Sequence, residues 1–178
     1  MIAVVLGLCA AFGALDQYVG SLTRYWPSAW EVSALSAPWL VMPFLAGSTQ
    51  RASARAAILG LAATLVGLTA YGLMTISPIE QAHPSVAAFE AFVRSNRLWF
   101  AGAFVTGPLF GWLGHRWREV RARYAAIITA GVVILEPFTL APAHRSVPFG
   151  LVTAVEIGTG CAMALYFAWR VTHTRPSL

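Results

Sequence analysis

Three of the seven acidic residues in this sequence, Asp16, Glu136 and Glu156, stand deep inside long apolar stretches. A charge at that depth in hydrocarbon costs at least about 2.5 kcal/mol even on a lenient insertion scale, so such groups ordinarily face a polar interior and act there. Carboxylates gathered in that way would hold a cationic or hydrogen-bonding ligand, or exchange a proton as a ligand moves. The competing reading has each carboxyl protonated and hydrogen-bonded between helices, with no ligand involved.

Other constellations carry less chemistry. Glu80 and His83 have the Glu-x-x-His spacing of di-iron bundles, but there is no second copy and Pro84 interrupts the helix, so both read as loop residues and no metal site is expected. His115 falls at a helix end where the dipole favours a cation, while His144 and His173 have no partner at ligand spacing. Cys9 and Cys161 lie within apolar segments and behave as small hydrophobes. The sequence contains no Walker loop, Gly-x-Ser-x-Gly elbow or His-Glu-x-x-His site, and no cofactor is implied.

The elements that must position the acids follow from composition. Of 178 residues, 58% are apolar and 11% charged, against about 25% charged in an ordinary soluble domain. The chain therefore reads as one all-α, polytopic membrane helical bundle. Breaks at Arg, Pro and polar clusters leave six stretches near the roughly 20 residues a crossing needs: 2–22, 30–48, 53–76, 98–115, 123–142 and 148–170. The first has no basic residue ahead of its apolar run and reads as a retained helix, not a secretory signal. The second is diluted by Glu31, Ser33, Ser36 and Pro38, which predicts a kinked or partly re-entrant segment, with five helices as the fallback count.

All twelve basic residues are Arg, and the net charge is +5. With six crossings, one side collects eight of them, at positions 51, 55, 116, 118, 121, 123, 170 and 175, and the other collects Arg24, Arg94, Arg97 and Arg145. The positive-inside rule then puts both termini in the cytoplasm, and Arg residues between apolar runs argue for a membrane surface rather than nucleic acid. The outer loop 77–97 contains a short interfacial helix starting at Pro84-Ser85, with Val86, Phe89 and Val93 on one face and Glu90 paired with Arg94. Small residues recur four apart at Ala3, Gly7 and Ala11, at Ala63 and Gly67, at Gly107 and Gly111, and at Ala154, Gly158 and Ala162. These stripes predict close helix contacts, internal ones first and a partner's surface second, while Pro108 and Pro137 predict bends.

Counting about 1.5 Å per residue puts Asp16 roughly 21 Å, Glu136 roughly 20 Å and Glu156 roughly 18 Å from the inner face, so the three acids share one layer. Gln17, Tyr71, Thr106 and Thr153 fall at related depth, and Trp30, Trp39 and Trp99 lie toward the outer rim. The expected site is an outward-facing, ligand-binding pocket lined by Asp16, Gln17, Tyr71, Trp99, Thr106, Glu136, Thr153 and Glu156.

The run Trp30-Glu31-Val32-Ser33-Ala34-Leu35-Ser36-Ala37-Pro38-Trp39-Leu40, followed by Phe44-Leu45-Ala46-Gly47 and a short Arg-bearing loop, resembles a family of small actinobacterial membrane proteins without assigned function. The likeness covers most of the chain, including Glu156 with Gly158 two residues on, and departs at Val32 and Leu35, where a more polar stretch is usual. It implies a multi-pass protein of the bacterial cytoplasmic membrane and supplies no activity. A looser likeness is to the substrate-capture subunits of energy-coupling-factor transporters, six-helix proteins with both ends cytoplasmic and an outward pocket. By that likeness Ala3, Gly7 and Ala11 would meet a membrane partner subunit.

The expectation is a protein that binds or translocates a small molecule, in contact with membrane lipid. The alternatives are an intramembrane enzyme such as an isoprenoid cyclase, with Glu136 or Glu156 as general acid, and a structural or assembly subunit.

Overall fold

The computed structural model describes residues 1–119, 122–144 and 150–173, without the side chains at 137, 139–144, 151, 168 and 170–173. Arg121, Arg145 and Arg175 lie outside the described residues, as do the side chains of Pro137, His144, Arg170 and His173. The described residues form helices α1 (Ile2–Ser21), α2 (Ala29–Ser33), α3 (Ala37–Ser48), α4 (Ser53–Thr75), α5 (Val86–Ser95), α6 (Arg97–Glu119), α7 (Arg123–His144) and α8 (Leu151–His173). Two 3-10 turns, Leu22–Arg24 and Pro78–Glu80, complete the regular structure, and no strand occurs among the described residues.

Helix α4 is central, packing on α1, α3 and α6, and the α7–α8 pair leans on α3 and α6. Backbone meets backbone at these seams. A Cβ on Gly13 would run into the carbonyl of Gly67, one on Gly47 into that of Gly111, and one on Gly114 into that of Phe44. Gly60 sits in the same way against Gly107. Where lipid removes the hydrophobic drive between helices, this closeness is what holds them. Aromatic packing then joins the two halves, with Phe44, Phe110 and Phe167 buried together and Trp117 against them.

Two of the four small-residue stripes lie in these seams: Ala63 with Gly67, and Gly107 with Gly111. The other two, Ala3-Gly7-Ala11 and Ala154-Gly158-Ala162, are exposed, and a Cβ at Gly7 or Gly158 would meet nothing within 4 Å. Internal packing as their first reading is corrected, because α1 turns Cys9 and Gly13 inward and the stripe follows a different face.

The irregularity expected in the second segment takes the form of a break. Instead of one helix over 30–48, the chain forms α2, breaks at residues 34–36, and restarts as α3. Pro38 explains the restart: at a helix start its missing N–H would be unpaired anyway, whereas in mid-helix it would cost a bond. Among the described residues two helical stretches, Ile2–Arg24 and Ser53–Thr75, each of 23 residues, are long and apolar enough to cross a membrane; Ala37–Ser48 and Val152–Phe167 are shorter apolar helices. This is fewer than the six expected: α3 is short and α6 is diluted by Gly, Pro and Trp, while side chains at the end of α7 and at both ends of α8 lie outside the described residues.

The helix expected after Pro84-Ser85 is α5, capped where Ser85 Oγ accepts a hydrogen bond from Ala88 N at 3.0 Å.

Candidate functional site

A cavity of about 830 Å³ lies at the end of the bundle where α1 and α4 finish and α6 begins, against the α2–α3 break. The spacing 16, 17, 20, 21 turns one face of α1 toward it, contributing Asp16, Gln17, Gly20 and Ser21. Trp30 and Ser33 of α2, residues 34–36 of the break and Trp39 of α3 form the opposite wall. Leu68 and Tyr71 come from α4, Phe92 from α5, and Asn96 and Trp99 from the start of α6.

Asp16 is tied across the cavity, its Oδ2 accepting from Trp39 Nε1 at 3.1 Å. The Trp39 ring is itself fixed edge-on between Phe12, at 5.1 Å between centroids, and Tyr71, at 6.1 Å. The aromatic wall continues from Tyr71 to Phe92 at 6.2 Å, and Phe92 lies so close over Gly72 that a Cβ there would enter its ring. Phe92 was missed from sequence because the spacing of Val86, Phe89 and Val93 selects a different stripe of α5.

Glu80 also lines the cavity, from the Pro78–Glu80 turn. Its Oε1 is buried and has no hydrogen-bond partner. Sequence reading made it, like His83, a loop residue. The loop is there, but it folds back over the bundle and carries the carboxyl inward, while His83 stays exposed. Ser33, Ser36 and Asn96 were missed as well, although Ser33 and Ser36 signalled themselves as polar residues in an apolar run.

Glu136 and Glu156 are elsewhere. Glu136 reaches the α2–α3 break from behind and closes its two carboxylate oxygens on the first amides of α3, accepting from Ser36 N and, at 2.5 Å, from Ala37 N. Ser36 gives no side-chain cap of its own, so a residue a hundred positions away does what an N-cap side chain does. Glu156, buried on α8, stands beside Glu136. At the other end of α3 the cationic Arg118 donates from Nη1 to Ser48 O at 2.8 Å, and His115 Nδ1 lies 3.1 Å from Gln50 O.

Of the expected lining residues, the structure brings Asp16, Gln17, Tyr71 and Trp99 to one cavity, with Trp30 and Trp39. Thr106, Glu136, Thr153 and Glu156 do not line it. Thr106 bonds back to Gly102 O at 3.0 Å, and Thr153 and Glu156 are buried on α8. All three acids gather around the first turn of α3, but only Asp16 faces the hollow. Among the described residues no group of three or more His, Cys, Asp or Glu could hold a metal ion.

No family model, no curated protein and no solved structure matches this chain.

Proposed function

We propose that the chain is a multi-pass membrane protein with six membrane-crossing segments, the second of them interrupted, and that it binds or translocates a small molecule through the cavity at Asp16. The observation that carries this reading is the cavity itself: about 830 Å³, with a carboxylate held in place by an indole N–H and several convergent polar groups set among aromatic walls. Such volume accommodates a drug-sized molecule.

Membrane embedding is supported by the surface. Leu98, Ile127, Ile58, Val105 and Leu165 are among many large apolar side chains left exposed, as lipid contact allows and water does not favour. Exposed aromatic residues collect at both ends, Tyr25, Trp26 and Trp99 beside the cavity and Tyr124, Tyr166 and Trp169 at the opposite end. The cavity end carries Arg24, Arg94 and Arg97, the poorer share of the basic residues, so it faces outward and both termini are cytoplasmic.

The isoprenoid-cyclase alternative requires Glu136 or Glu156 to face its substrate, and neither lines the cavity. The exposed Ala3-Gly7-Ala11 stripe suits a membrane partner subunit, which would supply the energy for active uptake. Native mass spectrometry of protein extracted gently from its own membrane tests the reading. A retained small molecule that is lost in Asp16→Asn supports it, and a wild-type protein carrying only bulk lipid overturns it.

A further inference from the structure

We infer that the ligand of this cavity is an organic ammonium cation with an apolar body, held by Asp16 and Glu80 inside an aromatic cage; this rests on the small-molecule reading above. Among the described residues the lining contains two carboxyl side chains and no Arg, Lys or His, in a protein whose net charge is +5. Arg24, Arg94 and Arg97 at the same end do not line the hollow, so among the described residues the site is acidic against the charge of the whole chain. Glu80 adds a second argument. Its Oε1 is buried at the cavity wall with no hydrogen-bond donor from the protein, an arrangement that a cation or N–H donor on the ligand would satisfy.

The remaining walls choose among cations. Trp30, Trp39, Tyr71, Phe92 and Trp99 offer ring faces and edges, the surface that binds alkylated ammonium groups through the ring quadrupole. A bare metal ion would need an inner shell of oxygens, and the described residues contain no group of three or more acids, histidines or cysteines to build it. The volume points the same way, since about 830 Å³ leaves room for apolar substituents around a charged head. Gln17, Ser33 and Asn96 would orient polar substituents.

The test titrates the detergent-solubilised full chain with benzyltrimethylammonium and with neopentylbenzene, its uncharged carbon isostere, following tryptophan fluorescence. Three of the seven tryptophans lie in the cavity wall, so occupancy changes the signal. The expected result is saturable binding of the cation, at least about tenfold tighter than the neutral isostere and weakened at least about tenfold by Asp16→Asn. Glu80→Gln should weaken it less and serves as the second variant, because its turn is remote from the helix seams. Equal or tighter saturable binding of the neutral compound would overturn the cation assignment and leave the small-molecule pocket standing. Saturable binding of neither, with no co-purified small molecule, would overturn both.

Discussion

The indole of Trp39 donates its N–H to Asp16 Oδ2 at 3.1 Å, joining α3 to α1 across the mouth of the cavity. The bond does two jobs at once: it satisfies a half-buried carboxylate and fixes the ring whose edge faces Tyr71 and Phe12. Trp39→Phe keeps the ring stacking and removes the donor. The expected loss is about 1 kcal/mol, seen as a fall of about 2–4 °C in Tm in detergent. In a double-mutant cycle with Asp16→Ala, which removes the acceptor, the two losses should fall short of additive by about 0.5–1 kcal/mol, and strict additivity would show that the bond contributes nothing.

Glu136 should matter to α3 more than to the cavity. Glu136→Ala leaves the first amides of a buried helix without acceptors and is expected to cost about 1–3 kcal/mol, with Glu136→Gln, which keeps one acceptor oxygen, in between. Hydrogen exchange reads the cause directly: amides at the start of α3 should exchange faster in that order, while those of α4 stay protected. Unchanged exchange at Ser36 and Ala37 would contradict the capping role.

The glycine seams predict a sharp contrast between positions that look alike in sequence. Gly47→Ala and Gly114→Ala put a methyl into a facing backbone carbonyl, so each should cost about 2–3 kcal/mol or prevent folding. Gly7→Ala and Gly158→Ala meet nothing within 4 Å and should be neutral or stabilising by up to about 1 kcal/mol, the gain in helix propensity. Fluorescence-detected gel filtration after heating distinguishes the two pairs, and equal behaviour would refute the packing.

The proposed orientation can be read with a membrane-impermeant thiol reagent on intact cells, using a background without Cys9 and Cys161. Ser85→Cys, at the start of α5, should label from outside, and Arg51→Cys only after permeabilisation. Labelling of Arg51→Cys in intact cells would invert the arrangement.

Much of the helical layout was legible because apolar runs and punctuation are local signals. Ser85 announced α5, and the polar residues from Glu31 to Ser36 announced trouble in the second segment, although not that the chain would stop and restart there. The site was legible in part. Asp16, Gln17, Tyr71 and Trp99 line one hollow, whereas Glu136 and Glu156 do not, because residue counting along a helix gives no rotation about the bundle. Glu80 and Phe92 were hidden for another reason, since a loop's return path depends on tertiary contacts such as Phe92 over Gly72. The seams show the same limit: Gly13 and Gly47 have the same composition signal as Gly7, and only the facing helix tells them apart.

The break ahead of α3 has an electrical consequence for a membrane-embedded chain. Twelve residues of helix cover only about 18 Å, so a wet cavity ending at Ser36 would carry the outer solution well into the hydrocarbon. The voltage across the bilayer would then drop mainly along α3 rather than over its whole thickness. A positive charge resting at Asp16 would sit at the rim of that drop, and carrying it onward would exchange about 2.3 kcal/mol with the field for every 100 mV.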